Sequence, residues 1–426
     1  MAEFSCEVFQ NEFLPEGGTD VHAVVTVTCA GAGAAGQSSG GDAAEVIIVD
    51  TSGSMQGDRI QAAKAGAAAA IDQILDGTWF AVIAGTDGAA RAFPYPNAAS
   101  AMVRMEPGAR AAAKQAVGQL VAGGGTAIGS WLRLAGRLFD SAPNVIQKHA
   151  ILLTDGKNQS ETDEALRNSI AGVNGKFQCD CRGVGADWDV SELRTVSTAL
   201  LGTVDIIPAP HELAGAFSTL MQQAMSRGVA DAQLRVWAPQ GAKVLFVRQV
   251  APQVEDLTGR RVDVNPLTGG YPTGAWSDET REYHVAVRLA ARPVGADQAA
   301  ARVQLTVGSQ TKAQGLIKAV WSADEALTAR INPAVAHYTG QTELAAAIQE
   351  GLAAKAAGQD DEATAKLGRA VQLAEATGND EVTAKLRKVV EVEDAATGTV
   401  RLRRDASKID EMVLDTSSTK TTRVKR

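Results

Sequence analysis

The strongest constraint on this fold lies in two short apolar runs that each end on an acid. "EVIIVD" closes on Asp50, and "KHAILLTDG" runs into Asp155. Neither run alternates polar with apolar residues, so each has to be buried on both faces, as a strand of a parallel sheet is. Segments of helical period separate them and follow them: Arg59 to Leu75, "ARAAAKQAVGQLV", "SWLRLAGRLFD" and "ETDEALRNSIAGV". Trp79–Thr86 and Ala90–Tyr95 read as a hairpin around Asp87-Gly88. "KFQCDCRGVGA" and "TVDIIPA" add two strands, and "DVSELRTVSTAL" and "ELAGAFSTLMQQAMS" two helices. Alternation of this kind predicts an α/β doubly wound, mostly parallel, Rossmann-like sheet over 44–227.

The flanks have another character. The β-branched run "VHAVVTVTC" makes 1–30 extended, and Gly, Ala and Ser dominate a linker at 31–43. Short strands recur over 228–322: "DAQLRVWAP", "KVLFVRQVAP", "YHVAVRLAA" and "ARVQLTVGS". They predict a β-sandwich that the N-terminal strands complete, with the α/β domain inserted between. Over 323–396 apolar residues return at helical spacing, with breaks near Gly358 and Gly378, which predicts a C-terminal α-helical bundle of three helices. The remaining 397–426 is Thr-rich, polar and basic, and is expected to be disordered.

With 426 residues, the chain has room for several cores, and 45% hydrophobic and 21% charged residues place it in the globular class. A net charge of −8 argues against a nucleic acid or anionic membrane as the main partner. The N-terminus lacks a signal-like n-region and h-region, and no apolar run reaches spanning length, so a cytoplasmic location is expected. Four cysteines, two of them in Cys179-Asp180-Cys181, read as reduced and structural. The five histidines, at 22, 149, 211, 284 and 337, have no metal-ligand spacing, and His149 reads as structural.

Three loops carry the chemistry. Asp50-Thr51-Ser52-Gly53-Ser54 follows the first buried strand, Gly123-Gly124-Gly125-Thr126 precedes a helix, and Thr154-Asp155-Gly156 follows another buried strand. Open parallel sheets bind ligands outside the carboxyl ends of their strands. The candidate set is two carboxylates and three hydroxyls, with no imidazole or thiolate. Such ligands select a hard cation, Mg²⁺ or alternatively Mn²⁺ or Ca²⁺.

D-x-S-x-S after a first strand, a Thr after a Gly-rich loop and T-D-G after a later strand resemble the von Willebrand factor A (VWA) domain. The resemblance spans roughly 44–227 and implies a metal-ion-dependent adhesion site. In it Ser52, Ser54 and Thr126 would contact the metal through hydroxyls, and Asp50 and Asp155 directly or through water. It further implies a protein partner that supplies a carboxylate to the open coordination position. As a whole the layout resembles actinobacterial multi-domain VWA proteins, thought to work beside Ser/Thr kinases, phosphatases and forkhead-associated (FHA) domains. On that likeness Thr416, Thr419, Thr421 and Thr422 are candidate phosphosites through which a kinase or FHA domain would contact the tail. No enzyme activity is expected. Asp58, Asp87 and Asp187 are candidate bases only because they flank the loops, and a D-x-D phosphotransferase loop is absent. The alternative is a non-ATPase subunit of a metal-chelatase-like or other ATP-driven complex; with no G-x-x-x-x-G-K-[ST], the ATPase would be another chain.

Overall fold

The structure is a computed structural model that describes residues 2–33, 43–142 and 144–424. It comprises two compact units, one of Gly31–Ala230 with Gly274–Ser277, the other of Ala2–Ala30, Asp231–Thr273 and Asp278–Arg426. The expected linker falls largely on 34–42, outside the described residues.

Three strands open the chain: β1 (Glu3–Gln10), β2 (Phe13–Leu14) and β3 (Asp20–Ala30). The α/β unit then runs β4 (Ala43–Asp50), α1 (Asp58–Gln73), β5 (Trp79–Gly85), β6 (Ala89–Phe93), β7 (Val103–Arg104), α2 (Pro107–Gly118), α3 (Ile128–Ser141) and β8 (Gln147–Thr154). It continues with α4 (Asp163–Val173), β9 (Gln178–Val184), α5 (Val190–Ala199), β10 (Val204–Ile207) and α6 (Leu213–Met225). The sheet order is β10-β9-β8-β4-β5-β6, with β7 also on β5; β6 and β7 are antiparallel and the rest parallel. Every residue of β4 is buried, because it sits mid-sheet under helices on both faces. Ile47 and Val49 pack with Ile71 of α1 and Phe217 and Met221 of α6. Each such side chain contributes about 1.5–3 kcal/mol by leaving water.

The opposite, amino end of this sheet is pinned by buried charge. His149 lies between Glu45 (Nδ1 to Oε2, 2.7 Å) and Asp180 (Nε2 to Oδ2, 2.9 Å), all three essentially without exposure. Arg227 Nη2 donates to Asp180 Oδ2 at 3.2 Å. Burial opposes charge on His149, yet Glu45 and Asp180 hold its pKa above the ordinary value. Burial likewise opposes charge on Asp180, and His149 and Arg227 hold it well below the usual carboxylate range.

The strands that follow, all or mostly in the second unit, are β11 (Val229–Trp237), β12 (Lys243–Ala251), β13 (Glu255–Asp256), β14 (Val262–Asn265), β15 (Thr268–Trp276), β16 (Glu279–Arg288), β17 (Asp297–Val307) and β18 (Gln310–Trp321). These and the opening strands build two sheets, β1-β3-β16-β12-β13 and β14-β15-β11-β17-β18-β2. The β3–β16 ladder aligns Val24 with His284, and β2 runs parallel to β18. β15 carries Gly269, Gly270, Pro272 and Gly274, residues that weaken a strand pattern in sequence. Side chains from neighbouring strands fill the space: a Cβ at Gly270 would meet Gln233.

The helices of this unit are α7 (Glu325–Thr328), α8 (Pro333–Ala356), α9 (Asp360–Ala376) and α10 (Asp380–Val389). Asn332 caps α8 by accepting from Ala334 N. Gly358 (φ +74°) and Gly378 (φ +63°) reverse the chain after α8 and α9 in the left-handed conformation that glycine adopts freely.

The expectation of a disordered tail over 397–426 is corrected for 397–424, the described part of it. After α10 come a hairpin, β19 (Val390–Asp394) with β20 (Thr399–Leu402), and a helix, α11 (Lys408–Ser417). Leu414 packs with Leu344, Leu367 and Leu386 in one core. The hydroxyl residues that suggest disorder are partly interior: Thr416, Ser417 and Ser418 are each about 98% buried. Thr416 Oγ1 donates to Met412 O at 2.9 Å within its own helix. As a phosphosite Thr416 is therefore enclosed. Beyond α11, Val254 N donates to Thr419 O (2.7 Å), and Thr421 donates through N to Pro252 O (3.0 Å) and through Oγ1 to Val250 O (2.6 Å). Thr422 O bonds His337 Nε2 at 2.7 Å, so Thr419, Thr421 and Thr422 all lie in a docked segment.

Candidate metal site

The site is assembled where β4 and β8, neighbours in the parallel sheet, deliver Asp50 and Asp155 at their carboxyl ends. Both carboxylates are fully buried, Ser52 and Thr126 nearly so, and Ser54 is exposed at the rim. Asp50 Oδ1 accepts from Ser52 N (2.7 Å), which bends the chain back over the strand end, and Oδ2 accepts from Thr154 Oγ1 (2.5 Å). Ser52 Oγ and Ser54 Oγ are 3.0 Å apart, and Ser54 Oγ donates to Asp155 Oδ1 at 2.6 Å.

Backbone bonds lock the three loops together. Gly53 N donates to Gly124 O (2.9 Å) and Gly123 N to Thr51 O (2.8 Å). Gln159 N and Ser160 N both donate to Thr126 O, and Ser160 Oγ accepts from Thr126 N. Gly124 has φ +78°, and a Cβ there would lie 2.9 Å from Asp87 Oδ1, so glycine is required. A Cβ on Gly156 would come 3.4 Å from Ser54 Oγ and 3.5 Å from Thr126 Oγ1, so both hydroxyls overlie this one backbone position. All five candidate residues thus converge on one end of the sheet.

Three contributors had no role assigned from sequence, although Thr154 lies in one of the three loops. Arg59, at the start of α1, donates from Nη1 to Asp155 Oδ2 (2.7 Å) and from Nη2 to Asp187 Oδ2 (3.0 Å). Thr154 and Ser160 position Asp50 and Thr126. Their nearness to D-x-S-x-S and T-D-G in sequence was the available signal; which side chain meets which was not encoded there. Of the candidate bases, Asp187 reaches the site through Arg59, Asp87 stands beside Gly124, and Asp58 is exposed.

Burial raises the pKa of Asp50, and the nearby Asp155 adds to this; the bonds from Thr154 and Ser52 oppose it. Among the described residues no group of three or more His, Cys, Asp and Glu side chains is placed to hold a metal ion. A cation here would depend on hydroxyl oxygens, and the all-oxygen donor set fits a hard divalent ion.

The sheet order, covering helices and three-loop site define the class. Residues 44–206 match the von Willebrand factor type A domain, and 372–418 the von Willebrand factor type A C-terminal domain. The latter match runs from within α9 through α10, the hairpin and the whole of α11. A solved von Willebrand factor type A protein from Catenulispora acidiphila is 49% identical, covers 99% of this chain and 97% of its own, and superposes with a TM-score of 0.93. The chain belongs to the von Willebrand factor type A family, whose domains are generally interaction modules rather than enzymes. The ArnB paralog VWA2 from Sulfolobus acidocaldarius shares the fold at 14% identity, with 98% of each chain covered and a TM-score of 0.58. An uncharacterized protein of Synechocystis is 29% identical over 217 residues, 50% of this chain; the match spans only about half (49%) of that relative's length. Among the described residues no helix is long and apolar enough to cross a membrane.

Proposed function

We propose that the chain is a divalent-cation-dependent protein-binding module. Ser52, Ser54 and Thr126 hold Mg²⁺ through hydroxyls, with Asp50 and Asp155 acting directly or through water. A carboxylate of a partner protein completes the coordination. The observation that carries this reading is the convergence of five oxygen-bearing side chains from three loops at the carboxyl end of a parallel sheet, one of them exposed. Two buried acids set against one arginine keep the site electronegative enough to attract a dication. The hydroxyl ligands add no charge, so the bound cation retains its pull on an incoming carboxylate.

The protein's own residues then do three things. Asp50 orients Ser52 through its backbone bond, Thr154 fixes Asp50, and the glycine loops bring Thr126 over Gly156. Titrating the full chain with MgCl₂, MnCl₂ and CaCl₂ by calorimetry tests the reading. One saturable site is expected, lost in Asp50→Ala and in Asp155→Ala while the fold persists by circular dichroism. Cation binding that survives both substitutions would show that the ion sits elsewhere. A pull-down repeated with EDTA then tests the carboxylate bridge, which requires capture to depend on the cation.

A further inference from the structure

A groove of about 230 Å³ lies between α3 and α4. Its floor is Gly136, buried and packed so closely by Val173 that a Cβ would come 2.9 Å from Val173 Cγ1, and the space above Gly172 is open. Arg133 and Arg137, one helical turn apart on α3, and Lys176, just beyond α4, rim the opening, and no carboxylate lines it. Like charges at this helical spacing repel, so the pair is unfavourable unless an anion lies between. The protein around them carries a net charge of −8.

Among the described residues these cations are only partly neutralised; the Glu161 carboxylate lies near Ser169 Oγ, both within 2.8 Å of where a Cβ on Gly129 would sit, but makes no ion pair with Arg133. Arg133 donates to Ser169 Oγ, a neutral acceptor already committed to Ala165 O. Arg137 makes no hydrogen bond or ion pair within the described residues. Lys176 Nζ pairs with Asp140 Oδ2 at 2.7 Å, and both groups are well exposed, so the pair is weak. The Asn168 amide adds a neutral donor at the rim. A planar carboxylate is satisfied by one guanidinium fork. Cations on both sides of the groove suit an anion with three terminal oxygens and a charge near −2.

We propose that this groove binds a phosphate monoester. The volume admits the phosphate and a short ester chain and falls below the ~300–1,000 Å³ of sites for larger ligands. Parallel-sheet helices run opposite to the strands. Arg137 and Lys176, at the carboxyl ends of α3 and α4, therefore lie toward the sheet end away from Asp50 and Asp155. Binding here is independent of the cation.

The test uses the full chain in EDTA, so that no metal ion can capture phosphate. Glycerol phosphate, a short phosphoserine peptide, its unphosphorylated form and malonate are titrated by calorimetry. Saturable, salt-weakened binding of glycerol phosphate or of the phosphopeptide is expected. Which of the two binds tells a small metabolite from a modified protein side chain. Arg133→Ala and Arg137→Ala should each weaken it about 10–100-fold, the range for a hydrogen bond to a charged group. Lys114→Ala, a surface pair elsewhere, should leave it unchanged. The proposal is overturned if neither phosphomonoester saturates, if Arg137→Ala binds as tightly as the parent, or if malonate binds equally well.

Discussion

Arg59→Ala separates two roles for the cation-bearing end of α1. Asp155 is fully buried; its Oδ1 takes Ser54 Oγ and its Oδ2 takes Arg59 Nη1 at 2.7 Å. Without the guanidinium, Oδ2 of an interior carboxylate loses its charged partner. Hydrogen bonds to charged groups are worth about 1.5–3 kcal/mol. The Arg59 side chain is 35% exposed, so water refills part of the gap and about 1–2 kcal/mol remains. A divalent ion on Asp155 would resupply the missing charge. The variant should therefore melt roughly 2–8 °C lower in EDTA, for a unit of this size, and close to the parent at saturating Mg²⁺. Linkage then requires Mg²⁺ to bind the variant tighter by the same free energy, roughly 5–30-fold. Differential scanning calorimetry with and without chelator gives the first quantity and titration calorimetry the second. The reasoning fails if Arg59→Ala weakens Mg²⁺ binding, or if its loss of melting temperature is the same at saturating Mg²⁺.

Three further outcomes follow from groups away from the metal site. His149→Phe leaves Glu45 and Asp180 buried without their shared partner and should cost about 3–5 kcal/mol in urea unfolding of the α/β unit; a loss under about 1 kcal/mol would mean the cluster is not ionised. His284 is held at a pKa of about 3, first by burial and then by His22 and Arg248, so the folded state resists a proton that the unfolded state accepts near 6.5. Stability of the sandwich unit is thus full above pH 6.5 and falls as pH drops toward 3, by up to about 4 kcal/mol, and His284→Phe should flatten that slope in pH-resolved denaturation. Thr416→Glu buries a carboxylate against α11 and should destabilise the second unit by about 2–4 kcal/mol, whereas Thr422→Glu on the half-buried segment should cost less; equal proteolytic lability of the two variants would contradict the placement.

What could be read in the sequence was whatever a period or a fixed offset encodes. The two apolar runs ending in Asp50 and Asp155 specify buried parallel strands, and strand-end acids followed by hydroxyls mark the edge where loops converge. The glycines at 358 and 378 mark helix reversals for the same local reason. Pairings across the fold had no such signature. Arg59 looks like any helical surface cation until α1 is placed beside β8. His149 could be called interior but not assigned Glu45 and Asp180. β15 was obscured because its glycines and proline are tolerated only where neighbouring side chains fill the space. The Thr- and Ser-rich end misled most. Composition treats a hydroxyl as solvent-seeking, yet Thr416 meets its need within α11 and is free to be buried.

The β3–β16 ladder sets the order in which the polypeptide can acquire structure. Val24 cannot find its partner His284 until some 260 residues have been added, and the segment around Thr421 that bonds Val250 and Pro252 arrives later still. Strands 4, 5, 8, 9 and 10 of the α/β unit are complete well before that. During synthesis the cation-site unit can close first, while β1 and β3 can pair with each other and the other edge of β3 waits for β16. That edge of β3, rich in Val and Thr, is open to mispairing until β16 arrives.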